Sequence, residues 1–137
     1  MTTTNTPTHS IAVTIELNIT EEFLSDILVG AFDGAYGACW YWAQPRSKDG
    51  AHPFKVDGDL WRSVTIIEKE SSGEKYKSGV VDYERLLRGI KKLFEPGVLP
   101  KRSDVRNAIL QNDGGQLDAE GFDIIVQLAF FGELVYG

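Results

Sequence analysis

The sequence predicts an α+β domain, an antiparallel sheet of about four or five strands with three to four helices on one face and the last helix buried. Three patterns carry that expectation. Ile11 to Ile19 alternates apolar and polar residues at period two, Tyr83 to Phe94 repeats apolar residues at helix spacing, and Ala119 to Phe131 is apolar on nearly all sides.

At 137 residues the chain fits one domain able to bury a core without staples. No apolar run approaches the roughly 18 residues of a membrane span. Met1 to Ser10 is threonine-rich and lacks the basic start and apolar centre of a signal peptide, so it reads as a disordered arm before a domain of residues 11–137. The single cysteine, Cys39, excludes an internal disulfide and fits a reducing, cytoplasmic setting. A net charge of −6 argues against general nucleic-acid binding, which rests on neutralising phosphates. The charge is uneven. Arg85, Arg88, Lys91, Lys92, Lys101, Arg102 and Arg106 face only Glu95 and Asp104 in the same stretch, a local charge of +5 that leaves −11 elsewhere. That stretch is either a solvated helix face or a pocket for a small anion.

In order, Ile11 to Ile19 reads as a half-buried strand with Ile11, Val13, Ile15, Leu17 and Ile19 on one side. Thr20 caps a helix that carries Glu21 and Glu22 in its first turn and runs to about Phe32. Gly34 and Gly37 break it, and Cys39 to Ala43 follows as a strand with Trp40 and Trp42 on one face and Tyr41 on the other. This corner holds two of the three tryptophans. Pro45 to Gly58 reads as a polar surface loop. Trp61 to Lys69 and Lys75 to Val81 make two strands joined by a hairpin turn at Ser71, Ser72 and Gly73.

Asp82 caps the next helix. Tyr83, Leu86, Leu87, Ile90, Leu93 and Phe94 share one face of it, while Arg85, Arg88 and Lys92 share the other. Glu84 and Arg88 make an i,i+4 pair worth only ~0.3 kcal/mol. Pro96 and Gly97 end this helix, and Ser103 caps a short one from Asp104 to Asn112. The last helix follows an Asp118 cap, with Asp123 and Gln127 as one polar strip on an otherwise apolar rod; Glu133 to Tyr136 adds an edge strand.

The chemistry-bearing motifs are incomplete. Two histidines and one cysteine make no zinc set. Cys39 has no histidine to activate it and reads as a small core residue. Gly30, Gly34 and Gly37 do not open a phosphate-binding helix. Gly115 to Phe122 imitates half a calcium loop, but only Asn112 and Asp118 fall where oxygen ligands belong, so no metal or cofactor is expected. Asp118, Glu120 and Asp123 lack a partner nucleophile, which favours a non-enzymatic role. Trp40, Tyr41, Trp42 and Trp61, with Arg62 beside the last, either pack in the core or form a stacking platform for bases. Asp123 and Gln127 need partners if buried: the backbone of the Gly34 to Gly37 corner, a ligand, or a second subunit.

The pieces Ala31-Phe32-Asp33-Gly34, Tyr41-Trp42, Asp118, Asp123-Ile124-Ile125-Val126-Gln127 and the ending Phe131 to Gly137 resemble a family of short proteins of unknown function carried by bacteriophages, prophages and actinobacterial mobile elements. The resemblance covers the corner and the final twenty residues. It implies a small accessory protein in a host cytoplasm, of the kind that blocks host defence by sequestering a signal nucleotide or capping a host protein. Two functions are expected. The first is sequestration of a small anionic or nucleotide-like ligand by Trp40, Tyr41, Trp42, Trp61, Arg62, Arg85, Arg88, Arg102 and Arg106, with Asp123 and Gln127. The second is a homo-oligomeric module that docks on and blocks a host protein.

Overall fold

The computed structural model describes residues 9–47, 49–69, 77–95 and 103–137. Among them the fold is α+β. Helices α1 (Glu21–Phe32), α2 (Tyr83–Leu93), α3 (Ser103–Leu110) and α4 (Ala119–Phe131) accompany an antiparallel sheet of β1 (Ala43–Pro45), β2 (Phe54–Asp57), β3 (Leu60–Glu68) and β4 (Ser78–Asp82).

The nine-residue β3 is the spine of the sheet. β4 pairs along one edge, with Val64 opposite Val81 and Ile66 opposite Gly79. β1 and β2 follow one another along the other edge. They are two pieces of one interrupted strand: Thr65 donates its N–H to Pro53 at 2.8 Å and accepts from the Arg46 N–H at 2.9 Å. The stretch Pro45 to Gly58, expected as a loop, therefore contributes β2. The overlooked signal is Gly58-Asp59, because Gly58 has φ +63° and opens the two-residue turn between β2 and β3.

The helix starts follow their caps. Thr20 Oγ1 accepts from Phe23 N at 3.2 Å, Asp82 Oδ1 from Arg85 N at 2.9 Å, and Asp118 Oδ1 from Gly121 N at 2.7 Å. α4 packs on both the sheet and α2, and Ile125, Val126 and Leu128 are buried there with Phe23, Ile27 and Leu28 of α1, Ile66 of β3, and Leu86 and Ile90 of α2. That burial on several sides is why the rod is apolar nearly all round.

Three expected strands do not form. Ile11 to Ile19 takes no regular structure; Ile11 is 88% and Val13 75% exposed, and only Leu17 and Ile19 sink part-way into the core. Its period-two pattern suits a strand, but it pairs with none of the four strands of the described sheet. Cys39 to Trp42 is a turn, because Ala38 N and Cys39 N bond back to Gly30 O (2.9 Å) and Ala31 O (3.0 Å) of α1, and Ala43 N bonds to Cys39 O at 2.9 Å. Glu133 to Tyr136 is held by a side chain rather than a strand, as described below. α3 stops at Leu110, short of Asn112, which adopts φ +50°. The arm up to residue 8, the turn at residues 71–73, and Pro96, Gly97, Lys101 and Arg102 lie outside the described residues.

Gly89 sets the approach of α2 to α4. A Cβ there would lie 2.7 Å from Ala129 N and 2.9 Å from Ile125 O, both backbone atoms. Gly89→Ala is expected to lose about 2 kcal/mol in urea unfolding, the overpacking outweighing up to ~1 kcal/mol of gained helix propensity. Unchanged or raised stability would contradict so close a contact.

Candidate functional site

The corner after α1 and the rod α4 meet at one carboxylate. The Trp42 indole Nε1 donates to Asp123 Oδ1 at 2.7 Å, Gln127 Nε2 to the same oxygen at 3.0 Å, and the Cys39 thiol lies 3.5 Å away. The Tyr41 hydroxyl donates to Asp123 Oδ2. Gln127 faces the other way as well. Its Oε1 accepts from Val135 N and Tyr136 N at 2.8 Å each, and its Nε2 reaches Tyr136 O at 3.2 Å. The polar strip thus finds its partners in corner side chains and in the backbone of the tail, not in the backbone of Gly34 to Gly37. This capture replaces the strand expected for Glu133 to Tyr136.

The i,i+4 spacing of Asp123 and Gln127 on α4 makes the arrangement possible, since it places both on one face. The tail then folds back so that Tyr136 stacks on Trp42, centroids 5.6 Å apart with planes inclined 13°, and Phe131 packs on the same indole at 5.1 Å. Trp42 is 1% exposed. A buried carboxylate of this kind is ordinarily paired with a cation. Here Cys39, Tyr41, Trp42 and Gln127 supply neutral donors, and the ion pairs among the described residues are Arg62 with Glu21 and Asp57, and Arg88 with Glu84. Burial pushes the Cys39 thiol well up, and the Asp123 charge adds to it. Cys39 therefore stays a protonated core group and offers no thiolate. Burial, then the bond to Asp123, likewise holds the Tyr41 phenol well above its ordinary range.

Above this cluster opens a groove of about 550 Å³ bordered by Ala38, Tyr41, Glu120, Asp123, Ile124, Leu134 and Tyr136. Among the described residues that border it are two acids and no basic residue.

The other residues expected to bind a ligand are dispersed. Trp40 and Trp42 do not share a strand face: Trp42 is buried, while Trp40 is 39% exposed with Lys69 Nζ 3.7 Å above its ring. Trp40 and Trp61 border one shallow hollow of about 330 Å³ with Phe54, to which no arginine among the described residues contributes. Trp61 packs on Phe54 at 4.8 Å. Arg62 is held by Glu21 and Asp57 and lies over Tyr83. Arg85 lies over the Phe130 ring at 5.5 Å rather than on the outward face with Arg88. Arg88 points out beside Glu84 at 4.0 Å, and Arg106 Nε donates to Leu93 O at 3.0 Å at the end of α2. Arg102 lies outside the described residues. The described residues of the basic stretch and the tryptophans do not converge on one pocket.

A second surface was not anticipated. Val13, Ile15, Leu17 and Ile19 run beside Leu87, Ile90 and Phe94 of α2 and border an apolar groove of about 480 Å³. Leu87, expected on the buried face of α2, is 44% exposed there.

No family model, curated protein or solved structure matches this chain.

Tyr41 gives the cluster a pH signature. With the folded-state phenol raised above the ordinary 10.0, its stabilisation is fully present below that pH and is lost as pH rises toward the folded value, because the unfolded chain ionises first. In urea unfolding from neutral pH to about 11, stability should fall more steeply for the native protein than for Tyr41→Phe. Equal slopes would contradict the placement of this phenol.

Proposed function

We propose that the protein is a non-enzymatic interaction module that self-associates through the segment Ile11–Ile19 and the adjoining face of α2. The observation that carries this reading is a nine-residue strand pattern with no strand partner among the described residues and with Ile11, Val13 and Ile15 exposed at 88%, 75% and 65%. Such a segment satisfies its backbone and covers its apolar side by pairing with another strand. A second copy is a suitable partner because the pattern is self-complementary. Antiparallel pairing centred on Ile15 sets Ile11 opposite Ile19, Val13 opposite Leu17, and Glu16 opposite Thr14. All the large apolar residues then fall on one side and no like charges face one another. This is the isologous contact of a two-fold dimer, with Leu87 and Phe94 of each α2 beneath it.

The wider role follows from the resemblance of the corner and the last twenty residues to short phage and mobile-element proteins: an accessory protein of the host cytoplasm that docks on and blocks a host protein. Sequestration of a small anionic or nucleotide-like ligand has less support, because no arginine among the described residues lines the hollow between Trp40 and Trp61.

Light scattering on a sizing column should give twice the chain mass of 15.2 kDa. Val13→Lys with Ile15→Lys should give a folded monomer, since both side chains are exposed in the single chain, and should lose only the stability that association adds. A native protein that elutes as a monomer at about 100 μM, well above typical dissociation constants of stable dimers, would overturn the reading.

A further inference from the structure

The groove over Asp123 has a feature that pairing through the N-terminal segment does not use. Asp123 is only 9% exposed, yet it borders the groove, and its two oxygens are unequally occupied. Oδ1 takes Trp42, Gln127 and the Cys39 thiol, whereas Oδ2 accepts only from the Tyr41 hydroxyl among the described residues. An ionised carboxylate has about four acceptor sites, two on each oxygen, so Oδ2 retains capacity. All the donors are neutral, and no lysine or arginine among the described residues lies within ion-pair distance. Glu120, three residues earlier on α4, borders the same groove and adds a second acid.

We propose that this groove is a binding site for a small organic cation, a primary ammonium or guanidinium on a short apolar body. The cationic N–H donates to Asp123 Oδ2, replacing water with a charge-assisted bond where the carboxylate is poorly hydrated. Ile124 and Leu134 receive the apolar body, and the Tyr41 and Tyr136 rings, edge to face at 6.4 Å, border the charged end. Among the described residues that border the groove, none carries a positive charge to receive an anion. A hard divalent ion needs six or more oxygens, and no group of three candidate metal ligands occurs among the described residues. The tail closes one wall of the site because Gln127 fixes Val135 and Tyr136.

The test is an NMR titration of nitrogen-15-labelled protein with three probes of one shape: phenethylamine, phenethyl alcohol and phenylacetate, with agmatine as the guanidinium probe. The Trp42 indole N–H is the reporter, since it bonds to the carboxylate that receives the cation. The two cations should move that resonance at around millimolar concentration, and the alcohol and the anion should bind at least about tenfold more weakly. Asp123→Asn keeps the shape and removes the charge, so it should abolish the preference for cations. Leu134→Lys, at a position 42% exposed, should abolish cation binding by supplying a competing ammonium, and it decides the matter if the asparagine variant does not fold. Equal response to amine and alcohol, cation binding unchanged in Leu134→Lys, or no response to either cation up to about 10 mM would overturn the proposal.

Discussion

The Trp42 indole donating to Asp123 is the interaction on which the rest of this fold depends. It joins two elements more than eighty residues apart in sequence, the turn after α1 and the central helix α4. The bond fixes the direction in which the corner leaves α1, since Trp42 enters the core only when the chain turns at Cys39 and does not continue as a strand. It also fixes the tail. Gln127 bonds to the same carboxylate and holds Val135 and Tyr136 with its other end, so Tyr136 closes over the indole. A buried carboxylate without a cation is costly unless its hydrogen bonds are met. Four donors converge on it here, so its hydrogen bonds are met in this register of corner and rod.

The core is organised by this junction and by the close approach of α2 to α4. Gly89 allows backbone against backbone on one side of α4, while α1 and the sheet cover the others. Polar atoms on such a surrounded helix have few places to go. Asp123 and Gln127 sit on the one strip that faces the corner and the tail, and that strip also forms the floor of the groove. Stability and the proposed cation binding therefore draw on the same strip.

Much of this was legible in the chain. Thr20, Asp82 and Asp118 precede helices and cap them, because a short acceptor side chain before an amphipathic run has one favourable use. The apolar rod and its polar strip were legible for the same reason: their spacing has a single geometric meaning. The strand expected at Cys39 to Ala43 shows where local pattern stops. Alternating aromatics suit a strand, but the bonds from Ala38 and Cys39 back to α1 are tertiary and leave no mark in composition. The same holds for Ile11 to Ile19, whose pattern specifies a strand without specifying a partner. The platform drawn through Trp40, Trp42 and the arginines failed because an aromatic residue beside a strand signal does not reveal which side of the chain the core occupies. The turn at Gly58 was a missed local signal, since Gly-Asp between two strand-like runs marks a two-residue hairpin by itself.

The central claim is that Trp42 and Asp123 are energetically coupled and not merely near neighbours. A double-mutant cycle in urea at neutral pH, using Trp42→Phe, Asp123→Asn and the pair, measures that coupling directly. A coupling of about 1.5 kcal/mol or more is predicted for a bond to a buried charged acceptor. Strictly additive losses would mean that the corner and the rod are held together by packing alone, and would contradict the account.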